Sequence, residues 1–272
     1  MTTTHQRRTI GTVLAIALLV AVGASAFPVA GQDDAVRQPG ERKVEPARLP
    51  LDRPDVWTLN FRYKPPRIMT VDGFDAQGNP TKQIVWYMWY QVYNMPREDR
   101  AAEPVTFLPE FDLVTKDLNT THLDEPQPHV LDQLNKIENP ENHPSLTLLS
   151  SISISKHPIP PSKPEAIPRV VTGAAVWTDM AEKAPKTNKF SVYVVGLSNG
   201  QATEELRTGE KLIKRKTLQI NFIRPTDDNK PIVTDIRPDD TNGPAEQWVY
   251  RTTSVARAIG GAVPKLPPPP PK

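Results

Sequence analysis

Residues 196–200 read GLSNG and are the one segment whose pattern resembles that of a nucleophile. G-x-S-x-G can place a reactive serine on a sharp turn between a strand and a helix, with the catalytic histidine later in the chain. Here the last histidine, His157, precedes Ser198, and the surrounding segments do not alternate strand with helix. We therefore predict that Ser198 lies in a turn at the end of a strand, that there are no catalytic residues, and that the protein is not an enzyme.

The histidines are the next candidates for chemistry. The chain has no cysteine, so thiolate metal sites and disulfides are excluded. Past the first residues its histidines lie in polar segments without the H-x-H or H-E-x-x-H spacing of metal sites: His122, His129, His143 and His157. There is also no G-x-G-x-x-G or G-K-[ST] loop for phosphate. We predict exposed loop histidines, no metal and no cofactor.

The charge pattern argues against a polyanionic partner. Arg7 and Arg8 account for the formal net charge of +2, so the chain beyond them is near neutral and lacks the field of a nucleic-acid binder. One basic run precedes an apolar segment: Lys211, Lys214, Arg215 and Lys216. Such a run could hold an anion, but it more often protects an edge strand from aggregation or forms a solvated face.

Aromatic residues give the remaining candidate site. Residues 83–94 read QIVWYMWYQVYN, and both sets of alternate positions are apolar or aromatic. A strand of this kind has two faces to cover. We expect the even positions to face the core and the odd positions to lie under another part of the chain. The alternative is that Tyr87, Trp89 and Tyr93 form a platform for a ligand or partner.

The ends of the chain predict export. Arg7 and Arg8, the apolar run 13–22 and the small residues 24–26 are typical of a signal peptide over residues 1–26. Retained uncleaved, this segment would be a membrane anchor. Residues 27–54 are predicted to be a disordered Pro-rich linker, and 254–272, with five consecutive prolines, a disordered tail. One elaborated domain then occupies 55–253.

Inside that domain a period of two dominates. Alternating runs, punctuated by Pro, Gly, Asn and Asp, predict strands at 57–63, 67–71, 84–93, 107–115, 146–154, 170–177, 190–195, 217–222 and 247–250. Residues 130, 131, 134 and 137 are apolar and follow one helical face between Pro128 and Pro140. We expect this helix to cover the odd face of residues 84–93. The fold class is mainly β, an antiparallel β-sandwich with one short helix in an insertion.

The order of these features, over residues 83–195, resembles the extracellular immunoglobulin-like β-sandwich domains of unknown function in exported bacterial proteins and lipoproteins. A strand ends in Val92-Tyr93-Asn94 and is followed by a polar excursion and a strand with Phe111, Leu113 and Val114. A polar turn, PSKPE at 161–165, then leads into GAAVW at 173–177. The resemblance implies an immunoglobulin-like fold and a binding or assembly role.

These observations predict an exported, periplasmic or extracellular protein. Its expected role is to bind or scaffold an envelope component, either a protein or a polysaccharide, and not nucleic acid. The alternative is a carbohydrate- or polymer-binding module that uses the strand aromatics.

Overall fold

The computed structural model describes residues 1, 40–74, 77–95, 103–163, 166–205, 207, 209, 211–225 and 236–252. The chain divides into two units, Met1–Gly31 and Gln32–Lys272, and every element given below belongs to the second. Apart from Met1, the predicted signal segment lies outside the described residues. The predicted tail over 254–272 also lies outside them.

The described part of the chain is mainly β. Its strands are β1 (Arg42–Val44), β2 (Asn60–Tyr63), β3 (Arg67–Phe74), β4 (Pro80–Tyr93), β5 (Glu110–Thr115), β6 (Thr121–Leu123), β7 (Val170–Trp177), β8 (Lys189–Val195), β9 (Gln201–Glu205), β10 (Lys211–Ile223), β11 (Arg237–Pro238) and β12 (Glu246–Thr252). The helices are α1 (Pro128–Glu138), α2 (Ser151–Ile154) and α3 (Met180–Lys183), with a 3-10 turn at Pro144–Leu146. All strand pairs within the two sheets are antiparallel, which confirms the predicted β-sandwich class.

The first sheet is built around β4. β2 and β3 pair with successive halves of one edge of β4, and β7 pairs with the opposite edge. Tyr63 pairs with Tyr90, and Arg67 pairs with Tyr87. Between these pairs, the three residues 64–66 therefore lie opposite only two residues of β4, 88 and 89. This bulge falls at Pro65-Pro66, because proline has no N–H to give to the ladder.

The second sheet is built around β10. β8 and β9 pair with successive halves of one edge of β10, and β12 and β11 pair with the other edge. β5 adds to β8, and β6 adds to β5. Residues 196–200 connect β8 to β9, so the serine motif lies between two strands and not between a strand and a helix.

The core lies between the two sheets, as alternation predicted. From β4 it takes the even positions, Trp86, Met88, Tyr90 and Val92. These side chains pack on inward residues of β5, β8 and β10, and Tyr90 lies 4.7 Å from Phe111 between ring centroids. At Gly173 an added Cβ would lie 2.5 Å from the Tyr90 hydroxyl, so only glycine leaves room for that ring.

Helix α1 covers the other face of the first sheet. Val130, Leu131 and Leu134 pack with Tyr87 and Trp89 in a second buried cluster. Gln133 extends this contact to the sheet edge, since its amide accepts from the Asp72 N–H and donates to the Asp72 carbonyl. The prediction that the lone amphipathic helix covers the odd face of β4 is confirmed for these two aromatic residues.

The strand predicted over 146–154 is wrong. Its residues form part of the 3-10 turn, a short bridge from Leu149 to Gly173 of β7, and α2. Ser150 caps α2, because its hydroxyl accepts from the Ser153 N–H at 3.0 Å. Serine competes well at helix N-caps, and that local hydrogen bond outweighs the weak alternation of the segment.

The disordered linker predicted to extend to residue 54 is also wrong where it is described. Residues 42–44 form β1, which pairs with β2. Farther on, Trp248 Nε1 donates to the Glu45 carbonyl, and Lys216 Nζ lies 2.5 Å from Asp52 Oδ2. These contacts with distant strands fix a segment that has no apolar period of its own.

Candidate binding face

The predicted aromatic platform is buried. Tyr87, Trp89 and Tyr93 are 3%, 1% and 1% exposed. Tyr87 donates its hydroxyl hydrogen to Glu138 at the end of α1, Lys64 Nζ lies 4.8 Å from the Trp89 ring, and the Arg62 guanidinium lies 4.9 Å from the Tyr93 ring. The three side chains therefore offer no open surface to a polymer and do not form a binding platform.

Glu138 explains how this face is closed. Its carboxylate accepts from Lys64 at 2.7 Å, Arg67 at 2.7 Å and Tyr87 at 2.8 Å. Burial alone would raise the pKa of Glu138, but the hydrogen bond and charge of Lys64, together with the charge of Arg67, lower it below its usual value. A buried carboxylate of this kind needs such partners. The cluster anchors the end of α1 to the sheet.

The serine motif lies in a turn that is held by local hydrogen bonds. Ser198 donates to the Trp57 carbonyl and accepts from the Gly200 N–H at 3.2 Å. Beside it lies a cavity of about 210 Å³, and the described residues that line it include no histidine or carboxylate. Gly196 has φ +93°, and a Cβ there would lie 2.1 Å from the Leu108 carbonyl oxygen. Tight packing thus accounts for this glycine without any catalytic role.

His122 departs from the predicted exposed position. It lies on β6 and is 1% exposed, with Nε2 2.8 Å from the Thr120 hydroxyl and Nδ1 2.9 Å from Asp179 Oδ1. This order resembles a Thr-His-Asp relay. The Thr120 hydroxyl, however, also contacts Thr115 at 2.7 Å, so the chain of contacts ties the β5–β6 turn to the start of α3. Because the histidine ring is buried, a substrate cannot reach it.

The other predicted loop histidines, His129, His143 and His157, are exposed. Within the described ranges, no group of three or more His, Cys, Asp or Glu side chains could hold a metal ion. No described helix is long and apolar enough to span a bilayer.

The basic run is neutralised by partners. Lys214 lies 2.5 Å from Glu204, and Arg215 lies 3.3 Å from Glu110. Lys216 is 1% exposed and is held by Asp52. These pairings leave little positive charge for an anion at these three positions.

The outer face of the second sheet is the alternative, and the polar side chains at its centre range from buried to half-buried. The helices have their main contacts with the first sheet: α1 with β3, α2 with β7 and α3 with β4. On the second sheet the odd positions of β8 and β10 point away from the core, and strand pairing aligns one polar row across it: Asp112, Tyr193, Gln219 and Gln247. We call this surface the polar face.

Two side chains organise the polar face. Arg251 donates to Asp112 at 2.9 Å, and its guanidinium lies 4.0 Å from the centre of the Tyr193 ring. Asn221 Oδ1 accepts from Ser191 at 2.8 Å, Gln219 at 2.9 Å and Lys116 at 3.1 Å. Groups fixed in this way are preorganised for recognition, since little side-chain freedom is left to lose on binding.

One end of the polar face opens into a cavity of about 190 Å³, which we call the amide cleft. It is formed by β10, β12 and the turn after β11, and its polar lining includes Lys116, Gln219, Asn221, Asp239, Asn242 and Gln247. Sequence reasoning missed this site because it followed the apolar positions. The signal was in the positions between them, where Gln219, Asn221 and Gln247 alternate with core residues.

A third cavity, of about 220 Å³, lies where β6 leaves β5, and Glu110, Asp112, Asp124 and Ser151 contribute to its lining. Asp124 accepts from the Val176 N–H at 2.7 Å. Burial raises the pKa of Asp124 to about 6, although that bond and one from Ser151 oppose the rise. Both other carboxylates are already paired with arginines. This cavity therefore offers few groups to a ligand.

No protein-family model matches the chain, no curated protein matches it, and no solved structure matches it. The class of protein therefore follows from the fold and the polar face: an antiparallel β-sandwich with helices on one sheet and a polar outer surface on the other.

Proposed function

We propose that this is an exported, non-enzymatic β-sandwich that binds or scaffolds a component of the bacterial cell envelope through its polar face. Export is supported by the predicted signal sequence in residues 1–26. The observation that carries the proposal is the asymmetry of the sandwich. The chain covers the first sheet with α1, while the polar face of the second sheet has no helix packed on it among the described residues.

The residues of the polar face suit a binding role. Tyrosine and arginine are enriched where proteins make energetically important contacts, and Tyr193 and Arg251 are stacked near the middle of this face. Both are half-buried and thus partly accessible. The buried Asn221 network holds the neighbouring side chains in place.

Cosedimentation tests the proposal. The chain from residue 27 onward is mixed with isolated envelope from its source cell, and the bound fraction is measured. Thr121 pairs with Val114, which pairs with Ser191 of β8, so its side chain lies on the polar face. Thr121→Arg with Gln247→Arg therefore places two bulky charges on this face and should weaken binding at least tenfold. Thr70→Arg with Thr81→Arg, at exposed positions of β3 and β4 in the first sheet, is the matched control and should bind as the wild type does. Absence of wild-type binding, or equal binding by the double variant at an unchanged melting temperature, would overturn the proposal.

A further inference from the structure

We infer that the amide cleft binds one ring of a neutral, hydroxyl-rich glycan. This inference rests on the proposed function, because it names the chemical class that the polar face recognises. Its volume of about 190 Å³ is below the ~300–1,000 Å³ usual for drug-sized ligands. The cleft therefore suits a single ring, and the rest of a longer chain would lie along the polar face.

The floor of the cleft is a fixed hydrogen-bond network. Asn221 is nine-tenths buried, and its Oδ1 accepts from Ser191, Gln219 and Lys116. Because the Gln219 amide nitrogen is used in this network, its carbonyl oxygen is held in a defined orientation. The Lys116 ammonium is also held in place, because it donates one of its three hydrogens to Asn221 and keeps two for a ligand. The network thus presents an acceptor and a donor together.

The walls add groups that are ready to bind. No other described residue forms a hydrogen bond with the side chain of Gln247 or Asn242. Each amide offers donors and an acceptor, and each sugar hydroxyl is likewise a donor and an acceptor. Amide side chains therefore match hydroxyl groups in either direction. A ligand with only acceptors or only donors would leave half of these groups unsatisfied.

Charge points to a neutral ligand. Among the described residues, the lining has one cation, Lys116, and one anion, Asp239. The pKa of Asp239 is lowered, mainly by its hydrogen bond with Thr241, so this carboxylate stays ionised. A cleft with one charge of each sign has no strong field to select an anion or a cation.

The position of the cleft favours a glycan over an extended peptide. Peptides that add to a sheet bind an exposed strand edge through main-chain hydrogen bonds. The amide cleft instead lies over the face of β10, whose edges are paired with β8 and β12. Its polar lining also gives no apolar pocket for a peptide side chain. In the same row Tyr193 lies beside Gln219 and supplies a flat surface next to the cleft.

Arrayed oligomers test the inference. The chain from residue 27 onward is applied to immobilised neutral hexose and N-acetylhexosamine oligosaccharides, with a neutral peptide array beside them. At least one oligosaccharide should be retained. Gln247→Ala and Asn242→Ala each remove an amide that bonds no other described residue, so folding should be unchanged and binding at least tenfold weaker. Gln77→Ala, at an exposed glutamine in the turn between β3 and β4 of the first sheet, is the matched control and should bind normally.

The outcomes separate this inference from the proposed function. Retention of no oligosaccharide by the wild-type chain overturns the glycan assignment, as does equal weakening by Gln77→Ala. Binding to the peptide array alone, lost in Gln247→Ala, also overturns it. In each of these cases, envelope binding that depends on the polar face would leave the proposed function standing.

Discussion

At the scale of single residues, two buried carboxylates show how partners decide the sign of a pKa shift. Glu138 has two cations and a phenol within hydrogen-bond distance, so its pKa is lowered. Asp124 has only hydrogen-bond donors, from Val176 N and Ser151, and burial raises its pKa to about 6. A group whose pKa is raised on folding binds more protons when folded, so its ionisation costs stability.

We therefore predict that Asp124→Asn stabilises the protein at neutral pH. Between about pH 4 and pH 6 the folded state holds the proton that the unfolded state has lost, so wild-type stability falls as pH rises through this window. Asparagine resembles the protonated form and avoids the loss. Urea denaturation should show little change at pH 4 and a gain of about 1–3 kcal/mol at pH 7.

Glu138→Gln is the matched control for this sign. Its carboxylate has a lowered pKa, so the stability it contributes is present above its ordinary pKa and is lost as pH falls through the lowered one. The variant should lose about 2–4 kcal/mol at pH 7 and less at low pH. If Asp124→Asn were less stable than the wild type at pH 7, ionisation of Asp124 would not be what lowers the stability of the folded state.

At the scale of elements, alternation predicted most long strands and the period of 3.6 predicted α1. β7, β8, residues 84–93 of β4 and residues 218–222 of β10 are each apolar at every second position, and burial on folding rewards that pattern directly. The missed strands β1, β6, β9 and β11 have two to five residues each. They are stabilised by pairing with neighbours distant in sequence, which local patterns do not record.

The same limit explains the candidate site. The polar row of the second sheet exists only because β5, β8, β10 and β12 pair in one register. Each residue of that row is an ordinary polar position in its own strand. Tyr87, Trp89 and Tyr93 were recognisable from sequence, but whether they faced solvent depended on where α1 lies. The residue types can be read from the sequence, but the surface that they form depends on how the strands pair and on where α1 packs.

Helix α1 should prove essential to the first sheet. Leu134 is fully buried between Tyr87, Trp89 and the rest of the second cluster. Leu134→Ala should cost about 2–5 kcal/mol of unfolding free energy and shift tryptophan emission to the red, because Trp89 becomes more hydrated. Ile137→Ala, on the same helix but 54% exposed, should change stability by less than about 0.5 kcal/mol. Equal effects of the two variants would contradict the contact of α1 with β4.

At the scale of the whole molecule, the two sheets differ in what covers them. The first sheet has α1 on its outer face and the insertion along the edge of β7, where Leu149 and Asp124 bind backbone groups. The second sheet is joined at β10 and β12 by residues 45–52 from the start of the domain. The chain thus covers these parts of both sheets with its own residues, and this difference is the reason that we propose the polar face as the binding surface.

The segment before β2 should therefore be part of the folding unit. In a chain that begins at Val56, Lys216 loses Asp52 and the Ala47 carbonyl, and Tyr250 loses its hydrogen bond with Asp52. An unpaired buried ammonium costs about 3–5 kcal/mol, so this chain should be much less stable than one that begins at Gly40. Urea denaturation compares the two chains, and Asp52→Asn in the longer one should reproduce much of the loss. Equal midpoints for the chains beginning at Gly40 and Val56 would mean that residues 40–55 rest on the sandwich without stabilising it.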